Sequence, residues 1–121
     1  MQTVKIPPEE WSTRLNKLSQ AFEGWLVSLD LIARSDSQLR EFRQVPLVGI
    51  TAEPNGPIII AVAEPTGDHV THIIRSPTQV LLERTDSGAN ASLEIDSADG
   101  TKAILRFRTT RAALGSDGDH A

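Results

Sequence analysis

The chain of 121 residues contains no cysteine. That absence removes disulfides, thiolate metal sites and cysteine nucleophiles together. Tyrosine is also missing, and aromatic residues make up only 4% of the chain, which leaves few rings to stack on nucleic-acid bases. Positive charge is in short supply: 12 Lys and Arg against 16 Asp and Glu give a net charge of -4, so there is no general attraction to nucleic acid or an anionic membrane. The opening stretch MQTVKIPPEEW lacks the apolar segment of a signal peptide, and no apolar run approaches membrane-spanning length. The expectation is a cytoplasmic protein without a membrane partner. Gly49, Gly56, Gly67, Gly88 and Gly100 stand singly in turn-like surroundings, so there is no phosphate-cradling loop and no dinucleotide fingerprint. No cofactor is implied.

What the chain has is aliphatic. Val, Ile and Leu must build the core, with Trp11, Phe22, Trp25, Phe42 and Phe107 as large anchors. The length suits one domain over 1–108, followed by a tail over 109–121 whose glycines, aspartates and small residues read as flexible. Ile6-Pro7-Pro8-Glu9-Glu10 reads as the start of a helix, because proline is tolerated in a first turn and acids there complement the helix dipole. Trp11, Leu15, Leu18 and Phe22 then recur at helical spacing on one stripe, and Gly24 is a fitting stop.

From Trp25 the period changes to two. Trp25, Val27, Leu29, Leu31 and Ala33 alternate with Ser28 and Asp30 as a first strand. Gln38 to Val45 reads as a charged strand whose LREFR suits an edge, where charge discourages intermolecular pairing. Residues 46–52 read as its irregular, buried continuation with a bulge near Gly49. Ile58 to Ala63, apolar on both parities, predicts a central strand covered on both faces, with the helix as one cover. The stretch from Asp68 to Arg84 predicts two strands meeting at a corner marked by Pro77. In the first of them His69 and His72 fall on opposite faces. A last hairpin joins 91–97 to 102–108 through Ala98-Asp99-Gly100, opposing Asp96 to Lys102 and Leu93 to Leu105.

Two groups of residues could carry chemistry. Asp68, His69 and His72 form one, with the polar Thr51 as a neighbour if the segment 49–51 meets the histidines to form a pocket. A metal needs three or four convergent ligands, and the strand periodicity points the two imidazoles apart, so no metal site is expected. The other group is Arg106 and Arg108, two cations on one face of the last strand, with Lys102 and Arg111 close by in sequence. They suit an anion, an acidic partner or RNA. The acids Glu83, Glu94 and Asp96 on neighbouring strands are competing partners for those cations, and nucleic acid is disfavoured.

Ile6-Pro7 with Trp11, Gly24-Trp25, Pro46-Leu47, Gly49-Ile50-Thr51, His69 through His72 leading to Pro77, Val80, Leu82 and Glu83, and Asp99-Gly100 before Leu105-Arg106-Phe107 together resemble a family of short bacterial proteins catalogued only as a domain of unknown function. The resemblance spans Ile6 to Arg108 and implies no activity and no catalytic residues. The fold expected is α+β: an N-terminal helix on a twisted, mainly antiparallel sheet of about six strands, with curling into a partial barrel as an option. The functional expectation is a non-enzymatic interaction or accessory module, with self-association or strand addition at Leu39 to Arg43 and a protein partner or homodimer as its outcome. A small-molecule protein or enzyme using 68–72, and an anion or RNA binder using Arg106 and Arg108, are the alternatives.

Overall fold

A computed structural model describes residues 2–35, 37–54, 56–87 and 90–109. Its elements are β1 (Gln2–Ile6), a short 310 turn at Pro8–Glu10, α1 (Trp11–Ala21), β2 (Leu26–Ile32), β3 (Gln38–Ala52), β4 (Ile58–Ala63), β5 (His69–Ile74), β6 (Pro77–Arg84), β7 (Asn90–Ser97) and β8 (Lys102–Thr109). The eight strands form one antiparallel sheet in the order β1-β6-β7-β8-β2-β3-β4-β5. The α+β class holds, but the sheet has eight strands rather than about six and is not closed. The unforeseen strand is β1, whose Val4 and Ile6 alternate with Thr3 and Lys5 over a length too short to stand out beside Pro7-Pro8. Of the expected tail, Thr109 belongs to β8 and the remainder lies outside the described residues.

The period-two patterns assemble into rows that cross the sheet. Val4, Leu82, Leu93, Leu105, Leu29 and Phe42 are successive partners on the inner side, and Ile6, Val80, Ile95, Ala103, Leu31 and Leu39 form the next row. Leu93, Leu105 and Leu29 are fully buried. Burying such side chains contributes roughly 1.5–3 kcal/mol each and is the main favourable term in folding. The opposite parity of β2 faces outward with Ser28 and Asp30, as the sequence predicts.

The long strand β3 explains why 38–52 alternates poorly. Against β2 it carries extra residues between Val45 and Phe42 and between Phe42 and Arg40, and against β4 another between Leu47 and Gly49. Each bulge moves later side chains to the other parity and bends the strand. At the first of these Gln44 takes φ 49°, and its N–H donates to Ser28 Oγ at 3.2 Å. Residues 38–46 pair with β2, whereas residues 47–52 pair with β4. Just before β2 begins, Trp25 O accepts from Leu47 N–H, and further along β3 Ile50 N–H donates to Ser19 Oγ of the helix.

Helix α1 therefore lies along β3, and its buried side chains share one core with those of β4. Leu15, Leu18 and Phe22 of its stripe are buried, and Trp11 is half-buried with its Nε1 donating to Ile6 O at 2.8 Å. Phe22 stacks on Phe107 with ring centroids 4.1 Å apart and meets Trp25 edge-on. Gly24 takes φ 85°, a conformation that suits glycine after a helix. On β4, Ile58, Ile60 and Val62 are buried but Ile59, Ala61 and Ala63 are only half-buried, so a single face is fully covered.

The corner at Pro77 shapes the whole sheet. Strands β5 and β6 stand at the last and second positions of the order, yet only Arg75 and Ser76 join them. Two residues span little distance, so the sheet must curl until its β5 end approaches its β6 end. Ala98 N–H, in the turn between β7 and β8, donates to Ser76 O at 2.9 Å, one step beyond the Pro77↔Ser97 pair, and so carries the β6–β7 ladder into the corner.

Candidate functional site

The curl leaves a cleft of about 620 Å³ between β5 and the β7–β8 turn. Residues 72–76 form one wall, residues 97–99 and 101 the other, and Leu31 and Ala103 of the second inner row lie between. Consecutive residues of both parities line it, so it runs along the backbone edge of β5 rather than over one face. A second hollow of about 770 Å³ lies on the far side of the corner, between the start of α1 and the β3–β4 turn. Arg75 and Ser76 line both.

The β5 edge is regular. Ile58↔Ile74 through Ala63↔His69 pair one for one without a bulge, and among the described residues no strand pairs with its other side. The sequence HVTHII has no proline, lysine or acid, and Ile73 is 41% exposed on it. The other open edges are blunted by comparison. The first half of β3, where Leu39 to Arg43 was the expected docking edge, does keep one side unpaired, but bulges around Glu41 and Gln44 interrupt its register and Arg40, Glu41 and Arg43 charge it. Edge β1 carries the exposed Lys5 and runs into Pro7. Lysine, proline and bulges are the usual defences of an edge, and β5 has none of them.

The two histidines diverge as expected. His69 is exposed, opposite Ala63. His72 ends an inner row after Ile50 and Ile60, and its Nδ1 stands 3.8 Å from Glu41 Oε2. Asp68 is exposed in the β4–β5 turn, where Thr66 Oγ1 donates to Oδ2 at 3.3 Å. Thr51 is not brought to them: β4 intervenes, with Gly49 opposite Ala61 and Ala61 opposite Thr71. Neighbouring strands are about 4.8 Å apart, so the pocket imagined between 49–51 and 68–72 is filled by a strand. Glu41, beside His72, was not legible as a site residue because its approach depends on the bend of β3.

At the closed end of the cleft Gly100 takes φ 91°, and the Arg34 guanidinium packs over it. Asp99 Oδ1 accepts from Thr101 N–H at 2.8 Å; that hydrogen bond, aided by the Arg34 charge, holds the carboxyl below its ordinary range. Among the described residues Arg75 has no ion-pair or hydrogen-bond partner, and it is exposed.

On the outer face Arg106 and Arg108 share a side of β8, but they are not equivalent. Arg106 Nη1 donates to Asp30 Oδ2, which also receives Arg40, whereas Arg108 is exposed. The acid that engages Arg106 is Asp30, the residue directly after the core Leu29 and so on the opposite face of β2, rather than the expected Glu83, Glu94 or Asp96. Lys102 does oppose Asp96 in register but pairs with Glu94 at 3.4 Å, and Asp96 accepts from Gln79 Nε2 at 2.9 Å. Arg111 lies outside the described residues.

Among the described residues no three His, Asp or Glu converge as a metal site, and no helix is long and apolar enough to cross a membrane. The profile of a family of unknown function, DUF5335, matches residues 2–115. The chain belongs to that family. No curated protein and no solved structure matches it. The family assignment carries no activity, so function has to be argued from the cleft and the edge beside it.

Proposed function

We propose that this DUF5335 protein is a non-enzymatic interaction module of the bacterial cytoplasm that takes an extended segment of a protein partner along the free edge of β5. The observation that carries this reading is the regularity of that edge. Every second residue of β5 directs its N–H and C=O away from β4, and strand addition would satisfy those groups while neighbouring side chains enter the cleft floored by Leu31 and Ala103.

The test is selection of short extended peptides that bind the purified protein, followed by single backbone N-methylation of a selected peptide at each position. Strand addition predicts that methylation at alternate residues abolishes binding and at the intervening residues leaves it nearly unchanged. A uniform response along the peptide, or no binder at all, counts against the reading. Size measurement in solution with light scattering separates the case in which the added strand is β5 of a second copy.

A second reading is favoured by the placement of His72 in an otherwise aliphatic row. A small ligand in the same cleft would use His72 as its polar anchor. A metabolite that raises the melting temperature of the wild type but not of His72→Ala would favour it.

A further inference from the structure

The closed end of the cleft specifies more than an extended backbone. We infer that the segment it receives is a free carboxy terminus, with its last apolar side chain on Leu31 and Ala103 and its carboxylate at Arg75. The inference rests on the strand-addition reading and deepens it.

Three observations carry it. The Ser76 O to Ala98 N–H bond closes the cleft where β5 turns into β6, so a strand laid along β5 in the same direction has to stop there. An internal peptide segment would need to turn outward at that point. A chain end needs no such exit.

The second observation is charge. Of the ionisable side chains at this end, Asp99 is committed to Thr101 N–H and neighboured by Arg34. Arg75, standing at the corner and lining the cleft, has no partner among the described residues. An unpaired guanidinium beside a stopped strand suits a carboxylate, which it can hold with two parallel N–H donors. An amino terminus arriving in the opposite direction would meet the same cation and be repelled.

The third is the floor. Leu31 and Ala103 belong to the second inner row, and Ala103 is buried beneath the cleft. One aliphatic side chain from the incoming strand extends that row, while Ser76, Ser97 and Thr101 supply hydroxyl groups around it. The mixture of an apolar floor and a few polar groups is that of a side-chain pocket.

The experiment uses the full chain and a library of short peptides with free carboxy termini, each compared with its carboxamide by fluorescence anisotropy. The expected result is enrichment of peptides ending in Val, Leu or Ile, with amidation weakening binding by about tenfold or more, the scale of one charge-assisted pair. In Arg75→Gln, whose side chain is exposed and unpaired, the fold should be kept and the acid and amide should bind alike. Equal binding of acid and amide to the wild type overturns carboxy-terminal capture, and strand addition survives if alternate N-methylation still matters. If neither amidation nor alternate N-methylation changes binding, both readings fall. Persistence of the acid preference in Arg75→Gln also overturns the assignment of Arg75.

Discussion

Arg40 closes a two-pronged bridge on Asp30, Nε to Oδ1 at 2.7 Å and Nη2 to Oδ2 at 3.1 Å, and Arg106 from the opposite neighbouring strand donates to the same carboxylate. The acid is 7% exposed and lies between β3 and β8, so its charge fastens three strands on the outer face. The hydrogen bonds from Arg40 are the largest cause holding the Asp30 carboxyl below its ordinary 3.8, outweighing its burial, with Arg106 adding to them; the Arg40 guanidinium is held up in turn.

Because the folded state lowers the pKa, the stabilisation is fully present above the unfolded value near 4 and is lost as pH falls through the lower folded value. Asp30→Asn should cost about 1–3 kcal/mol at pH 7, discounted for guanidinium groups that remain about a third exposed. The difference from wild type should shrink as pH falls below the unfolded value and through the lower folded one. Urea unfolding of both proteins at neutral and acid pH checks this. An unchanged difference at the two pH values would mean that the carboxylate charge is not what matters.

Ser19 and Gly49 should behave as a coupled pair. Ser19 Oγ accepts from Ile50 N–H at 3.0 Å, and a Cβ placed on Gly49 would approach that oxygen to 3.2 Å. Ser19→Ala leaves a β3 amide without its acceptor and should cost about 1 kcal/mol. Gly49→Ala crowds the hydroxyl and should destabilise the wild type, yet cost less in the Ser19→Ala background, where the oxygen is gone. A double-mutant cycle from denaturant unfolding reads the coupling, and simple additivity would argue that helix and strand are not joined through this contact.

The parts of the fold legible in the sequence were those specified locally. Trp11, Leu15, Leu18 and Phe22 mark the inner helix stripe, and Asp99-Gly100 sets the last hairpin so that Asp96 meets Lys102. The parts that were not legible depend on distant strands. Residues 38–52 lose their alternation because bulges reset it against two different partners, so the stretch reads as irregular when it is one continuous strand. His72 was visible as a residue of interest, but its neighbour Glu41 was not, since their approach requires that bend. Likewise, Pro77 marks the corner after β5 in the sequence, but nothing local shows that this corner joins strands at opposite ends of the sheet order.

Gly100 tests whether the turn or its cover is limiting. Its φ of 91° disfavours any side chain, and an added Cβ would lie 2.5 Å from Arg34 Nε. Gly100→Ala should therefore cost about 1–2 kcal/mol from the backbone alone, with Arg34 displaced. Since the Arg34 side chain is flexible and exposed, removing it in Arg34→Ala should recover little of that loss. Thermal unfolding of the single and double variants decides between them, and full recovery in the double variant would place the cost in the guanidinium contact instead.

Leu29 and Leu39 separate a core position from an edge position within the same sheet. Both lie on inner rows, Leu29 between Leu105 and Phe42 and Leu39 at the end of the row beyond Leu31. Leu29 is fully buried, whereas Leu39 is 61% exposed because β3 bends away beyond its bulges and no further strand continues the row. Leu29→Ala removes a side chain whose neighbours on both strands are already packed, and should cost about 2–5 kcal/mol through lost burial and the cavity left behind. Leu39→Ala should change stability by less than about 0.5 kcal/mol, as at other solvent-facing positions. If unfolding measurements gave Leu39→Ala a cost comparable to Leu29→Ala, the first half of β3 would have to be covered in solution. That result would return the partner-binding edge from β5 to Leu39–Arg43, because only a docked chain could supply the missing burial.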